Sequence, residues 1–389
     1  MNPIVSLVRC ETYNSGRVFK SVRDAFDLIG GISAFIRRGS SVLVKPNLLM
    51  AVEPDAAVTT HPEVVRAVVR LLKEHECRVY LGDGPSVWGG EADNLEEVYE
   101  KSGMKKVAVE ENITLVSFDK RRWRGKFPLT RWLDECEYCV SIPKFKTHQL
   151  MILTAAVKNL YGLVSGTYKT ELHRKYFDEI DFSRILVEIY REAKPALTLV
   201  DGIVALEGEG PGTKGTPFRA GVLCAGSDCV AIDSVLTRIM GLKPKDILTT
   251  RHAAEALLGV ADIDYISVRG ERLEDLIGRP FKLPVTSAKR KIPGPLVDLV
   301  KHFLRFYPKI DHNLCIRCKN CIGVCPARVI TPGPPVSKSF MKREKNRNGY
   351  PFSIRIDYKH CISCFCCQES CPAKAIMVRK TLLAKLAGL

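Results

Sequence analysis

The chain has 389 residues, 46% of them hydrophobic and 26% charged, which is enough for two or three domains with buried cores. No stretch reaches the roughly 18 uninterrupted apolar residues of a membrane span. Met1–Cys10 meets charge at Arg9, too early for a secretory signal peptide, so a cytoplasmic chain is the expectation. The net charge of +16 is concentrated: residues 281–389 carry 21 Lys and Arg against 5 Asp and Glu, whereas residues 1–280 balance at 38 of each.

Residues 1–279 alternate short β-branched runs with helical patterns, which predicts an α/β domain on a mainly parallel sheet. Strands are expected at Ile4–Val8, Ser41–Lys45, Arg78–Leu81, Ile113–Phe118, Tyr138–Ile142, Leu197–Val200, Gly221–Cys224 and Tyr265–Val268. Helices are expected at Val18–Arg37, Pro62–Glu74 and Val230–Met240. Open parallel sheets bind ligands at the carboxyl ends of their strands, and those ends are rich in polar residues here. They carry Lys45 and Asn47, then Asp83, then Lys146 and His148, then Asp201, with Lys158 and Asn159 on a following apolar helix.

Lysine in a low-dielectric cleft shifts its pKa readily, and histidine titrates near neutrality. Lys146, His148 and Lys158 are therefore the candidate catalytic or acid/base groups. Lys45, Asn47, Asp83, Asn159 and Asp201 are the candidate substrate contacts, and the surplus of cations favours a small anion such as a carboxylate or phosphate. Structural roles for each of these residues are the competing expectation. Gly210–Gly215 fits G-x-G-x-x-G in form, but Pro217 and a strand follow where a dinucleotide site needs a helix. The Gly-rich stretch from Glu207 is read instead as a flexible lid or wide turn.

Residues 280–309 form a Pro-rich linker containing an amphipathic segment, Leu296–Phe306, expected to pack at the domain junction. Residues 310–379 contain eight of the fifteen cysteines in two matching runs. Cys315, Cys318, Cys321 and Cys325 precede Pro326; Cys361, Cys364, Cys367 and Cys371 precede Pro372. Both read C-x2-C-x2-C-x3-C-P, an internal duplication with the spacing of a two-cluster ferredoxin, where the fourth thiolate serves the opposite cluster. That spacing predicts two 4Fe–4S clusters, one on Cys315, Cys318, Cys321 and Cys371, the other on Cys361, Cys364, Cys367 and Cys325. Zinc, which prefers two separated Cys pairs or mixed Cys and His ligands, fits the spacing poorly. Cys366 is an extra thiol, expected to be a spectator.

Between the runs, Thr331–Pro335 and the basic Lys342–Arg347 read as an exposed insertion. Complementary charge there would steer an acidic redox partner of the ferredoxin or flavodoxin kind. Nucleic acid is the weaker reading, because no base-stacking aromatic series accompanies the charge. Residues 380–389 are a tail, expected to pack.

Residues 1–270 resemble the domain-of-unknown-function family 362. The likeness rests on VKPNL (44–48), GDGPS (82–86), PKFKTHQLMILTAAVKNLYGLV (143–164), VDGIVALEGEGPGTKG (200–215) and CAGSDCVAIDSV (224–235). It implies an iron–sulfur protein with an α/β domain and brings no substrate. Two functional expectations follow: an iron–sulfur oxidoreductase, or a non-redox enzyme or ligand-binding module whose clusters are structural or regulatory.

Overall fold

A computed structural model describes residues 2–85, 95–166, 168–287, 306–333 and 353–381. Residues 296–305 of the expected amphipathic segment Leu296–Phe306, the basic run 342–347 and the tail beyond residue 381 lie outside the described residues, and Phe306 opens a strand.

The α/β domain is built on an 11-stranded sheet. Its main path runs Ser267–Gly270, Ile4–Arg9, Val222–Gly226, Leu197–Gly208, Tyr138–Ile142, Ser41–Pro46, Arg78–Leu81 and Thr114–Leu115. Neighbours are parallel except at Val222–Gly226, which is antiparallel to the strands on both sides. Alternate residues of one strand enter different cores. Val42 and Val44 face the helices Ser15–Asp27 and Pro62–Glu74, while Leu43 belongs to the core under Glu179–Ala193 and Cys229–Ile239. Both faces are covered, which explains strands that are apolar throughout rather than alternating.

The first helix starts where Asn14 accepts a hydrogen bond from the Arg17 amide, and it buries Val18, Val22, Ala25 and Phe26. It stops at Asp27, not Arg37. Gly30 and Gly31 adopt φ of 112° and 79°, a left-handed turn open to glycine, and the apolar residues beyond it form a separate turn. The second helix matches its expected bounds, with Pro62 at the first position and His61 Nδ1 accepting from the Glu63 amide.

Leu197–Gly208 is twelve residues long, not four. Beyond the sheet's edge it pairs with Lys144–His148 and returns antiparallel through Gly215–Phe218. The Gly-rich turn is thus the tip of a hairpin. Residues 281–287 are built into this domain rather than forming linker: Phe281 packs on Phe145 and Phe218, and the Thr286 hydroxyl donates to the Gln149 carbonyl at 2.5 Å.

The cysteine module starts at residue 306. Phe306–Ile310 pairs with Ile376–Lys380, and Ile330–Pro332 pairs with Ile354–Ile356, both antiparallel. The duplication is visible in the backbone. Arg317, Lys319 and Arg328 have φ of 58°, 64° and 55°; Ser363, Phe365 and Lys374, at the same offsets from the first cysteine of each run, have 55°, 63° and 55°. The halves also cross over, since the Asp311 amide donates to the Ala375 carbonyl and the Asp357 amide to that of Val329. Among the described residues no helix is long and apolar enough to cross a membrane.

Candidate functional site

Parallel strands bring their carboxyl ends together, and a polar cavity lies there. It has about 540 Å³ of space not filled by atoms, including its open mouth. Asn47, Asp83, Lys146, Thr154, Lys158, Asn159, Tyr161, Lys169, His173 and Pro211 line it from the α/β domain. Glu369, from the second cysteine run, completes the wall.

The floor is a saturated polar network. Lys45 Nζ lies 2.7 Å from Asp83 Oδ1, with both side chains buried. Asp83 also accepts from the Leu48 amide at 2.7 Å and the Gly84 amide at 2.9 Å. Lys45 donates further to the Pro46 carbonyl and to Asn159 Oδ1. A Cβ at Gly162 would come within 2.6 Å of Lys45 Nζ, so only glycine fits above this pair. Lys45 itself does not line the cavity.

Further cations stand above. Lys146 Nζ donates to the Val58 carbonyl at 2.7 Å. Burial, then the charge of Lys158, pushes its pKa well below the ordinary lysine value. Lys158 is held by the helix Ala156–Asn159, whose first amides donate to Asp233 at 2.7 and 3.1 Å. Burial lowers the Lys158 pKa, with Glu369 pulling it back up, and its Nζ has no hydrogen-bond partner among the described residues. Burial brings Lys169 down to about 8 and His173 to about 3, so His173 is neutral near pH 7.

His148 is oriented by its own turn. The amides of Leu150 and Met151 both donate to Nδ1 at 3.1 Å, so the neutral ring carries its proton on Nε2. Nε2 lies 3.3 Å from Glu369 Oε1. Burial first, then Lys158, holds the His148 pKa well below its usual value, so this contact is not an ion pair at neutral pH. Burial lifts Glu369 to about 7, against the pull of Lys158 and Lys146. The turn leads to Ile152, a β-branched residue at φ 68°, a strained backbone of the sort that clusters at functional sites.

Asp201 lies elsewhere. The strand carrying it continues seven residues further, so Asp201 sits in mid-strand rather than at a strand end. There it accepts from Lys144 Nζ at 2.8 Å, the Tyr13 hydroxyl at 2.9 Å and the His61 amide at 2.9 Å. The candidates Lys146, Lys158, Asn159, Asn47 and Asp83 therefore line one cavity, with Lys45 beneath them and His148 against Glu369 rather than on the wall, and Asp201 belongs to a separate buried network. Thr154, Lys169, Pro211 and Glu369 are not marked by the sequence, and Tyr161 and His173 stand beside the marked residues with no role assigned. Only Lys169 and His173 had the residue types that could have flagged them.

In the cysteine module, Cys315, Cys318, Cys321 and Cys371 line one apolar cavity with Ile310, Ile316 and Ile354. Cys367 is raised by burial and then by its neighbours Cys364, Cys321, Cys361 and Cys325. The Val329 amide donates to Cys325 Sγ at 3.4 Å and the Ala375 amide to Cys371 Sγ at 3.3 Å. Amide donors aimed at cysteine sulfur, in apolar surroundings, suit thiolates bound to iron–sulfur groups. Cys318 is exposed, whereas Cys361, Cys364 and Cys367 are buried. Cys366 opens the short helix Cys366–Glu369, and its contact with Cys364 and its burial hold the thiol well above its ordinary pKa, hence neutral.

The two domains are tied at the cavity. The Thr213 hydroxyl, at the hairpin tip, donates to the Cys371 carbonyl at 3.0 Å, and a Cβ on Gly212 would collide with the Glu369 carbonyl.

An α/β domain closed by this cysteine module defines an iron–sulfur protein: residues 307–372 match the 4Fe-4S dicluster domain. Residues 42–238 match the Domain of unknown function (DUF362), and the chain belongs to that family. It is 33% identical over 263 residues to thylakoid-associated protein sll1697 of Synechocystis sp., covering 66% of this chain and 79% of that protein. Among solved structures, the lactate racemase apoprotein from Thermoanaerobacterium thermosaccharolyticum aligns over 58% of this chain and 54% of its own, with 13% identity and a TM-score of 0.39.

Proposed function

We propose that this chain is an iron–sulfur oxidoreductase that delivers electrons to a small anionic substrate held in the lysine-lined cavity. One observation carries the reading: Glu369, which stands between Cys367 and Cys371, forms the wall of the cavity that contains Lys146 and Lys158. A cofactor used only for folding would have no need to sit against the polar site.

Cys315, Cys318, Cys321 and Cys371 would hold one 4Fe–4S cluster, and Cys361, Cys364, Cys367 and Cys325 the other. Such clusters supply one-electron transfer over potentials set by charge, hydrogen bonding and exposure. Lys158 binds the anion, since it is the cavity cation with no protein hydrogen bond among the described residues. His148 holds an Nε2 proton in fixed orientation toward Glu369, and burial, by lowering the Lys146 pKa, favours the neutral amine that can accept a proton. The buried walls keep bulk water away from the acceptor.

Exposure orders the module. The run with the exposed Cys318, flanked by the exposed Leu314 and Ile316, is the entry side, and the buried run faces the substrate. An acidic one-electron carrier of the ferredoxin or flavodoxin kind suits a module with this positive excess.

The test joins composition to turnover. Anaerobically purified protein should contain about eight irons and eight sulfides per chain. Lys158→Ala should keep that content yet lose reoxidation of the dithionite-reduced clusters by a panel of small anionic acceptors. Wild-type clusters that no such acceptor reoxidises, or full activity in Lys158→Ala, would defeat the reading.

A further inference from the structure

The cavity's hydrogen-bonding groups narrow the ligand further, through a chain of amide orientations. Lys45 Nζ can only donate, and it lies 3.3 Å from a side-chain amide oxygen of Asn159. That fixes which end of Asn159 is oxygen. The same Oδ1 accepts from Asn47 Nδ2 at 3.0 Å, while Asn159 Nδ2 turns to Ser141 Oγ at 2.9 Å. Asn47 is therefore fixed in turn, with its own Oδ1 directed away from Asn159.

That oxygen is buried and has no hydrogen-bond partner among the described residues, and Asn47 lines the cavity. Thr154 Oγ1, also on the cavity wall, is buried and unpartnered in the same sense. Buried acceptors left unpaired are costly, so such a site is completed by water or by a ligand. Lys158 calls for an anion, but Asn47 Oδ1 calls for a donor, and a plain carboxylate supplies none. A protonated amine would supply one, at the cost of another positive charge beside Lys158 and Lys146. A neutral hydroxyl meets both demands.

Resting on the anion-binding reading of this cavity, we infer that the ligand class it selects is a small hydroxylated carboxylate, the product that an oxo acid gives on taking up two electrons, one from each cluster, and two protons. Its carboxylate lies on the Lys158 ammonium and its hydroxyl donates to Oδ1 of Asn47, with Thr154 a second partner for the ligand oxygens.

Glycolate, acetate and methoxyacetate separate the demands, because acetate lacks the second oxygen and methoxyacetate lacks only its proton. Titration calorimetry on the oxidised holoprotein should show glycolate binding at least about tenfold tighter than the other two, since a site built for a hydroxyl discriminates against analogues lacking it. Asn47→Leu should bring glycolate within about twofold of acetate while acetate affinity is kept, and Lys158→Met should weaken both. Should Asn47→Leu fail to fold, the wild-type comparison decides alone. Equal affinity for glycolate and acetate, or a glycolate preference that survives Asn47→Leu, overturns the inference and leaves the redox reading standing. Selective glycolate binding without cluster reoxidation in the assay above does the reverse. Binding of none of the three acids overturns the assignment of a carboxylate.

Discussion

His148 Nε2 and Glu369 Oε1 approach to 3.3 Å across the junction of the two domains. One side chain comes from the strand Lys144–His148 and the other from the helix inside the second cysteine run. Glu369→Gln keeps the size of the side chain and removes its charge from beside Lys146 and Lys158. Turnover is expected to fall at least about tenfold, with iron and sulfide content unchanged; loss of iron instead would give Glu369 a role in holding the cluster.

The pair Lys45–Asp83 is buried on both sides, and breaking such a pair is far more damaging than its net worth would imply. Lys45→Met should leave Asp83 buried without its cationic partner and cost about 3–5 kcal/mol of stability. Urea unfolding followed by far-ultraviolet circular dichroism reads this directly. A change below about 1 kcal/mol would show that Asp83 finds another partner.

Asp233 caps the helix that carries Lys158, and burial raises its pKa from 3.8 to about 7. A carboxyl with a raised folded pKa contributes stability below its unfolded value and loses it as pH rises through the folded one. The thermal midpoint of the wild type should therefore decline relative to Asp233→Asn between about pH 4 and pH 7. A gap that is constant with pH would mean that the two helix amides hold the carboxylate ionised.

Gly212 has no room for a methyl group against the Glu369 carbonyl, which belongs to backbone and cannot swing aside. Gly212→Ala should push the hairpin off the cysteine module and speed loss of iron to a chelator several-fold. An unchanged rate would show that the hairpin and module are not held by this contact.

The cysteine groups make separable predictions. Cys371→Ser should disturb the group that also contains Cys315, Cys318 and Cys321 and reduce the iron content by about half. Cys366→Ala should leave the iron unchanged, and quantitative iron and sulfide analysis distinguishes the two.

Much of this architecture was readable before the fold was known, and the gaps have identifiable causes. Buried parallel strands are unbroken β-branched runs, so Ser41–Pro46 and Tyr138–Ile142 stood out. The expected helix Val18–Arg37 runs too far because the apolar pattern continues past Gly30 and Gly31, whose positive φ breaks it. Asp201 reads as a strand end because only the apolar opening of its strand, Leu197–Val200, stands out in the sequence. Lys146, His148 and Lys158 were legible as polar residues inside apolar surroundings. Glu369 was not, since its place in the cavity depends on how one domain docks on another, which no local periodicity records.

That docking gives the helix Cys366–Glu369 two employments. It is part of the cysteine scaffold and also a wall of the cavity. A diffusible carrier could not substitute for this module, because removing it would leave Lys158 open to bulk water and His148 without the group it faces. Exchanging the module for another of the same cysteine spacing would then carry over the cysteines without restoring the cavity wall, unless the Gly212 contact and the carboxyl at position 369 travelled with it.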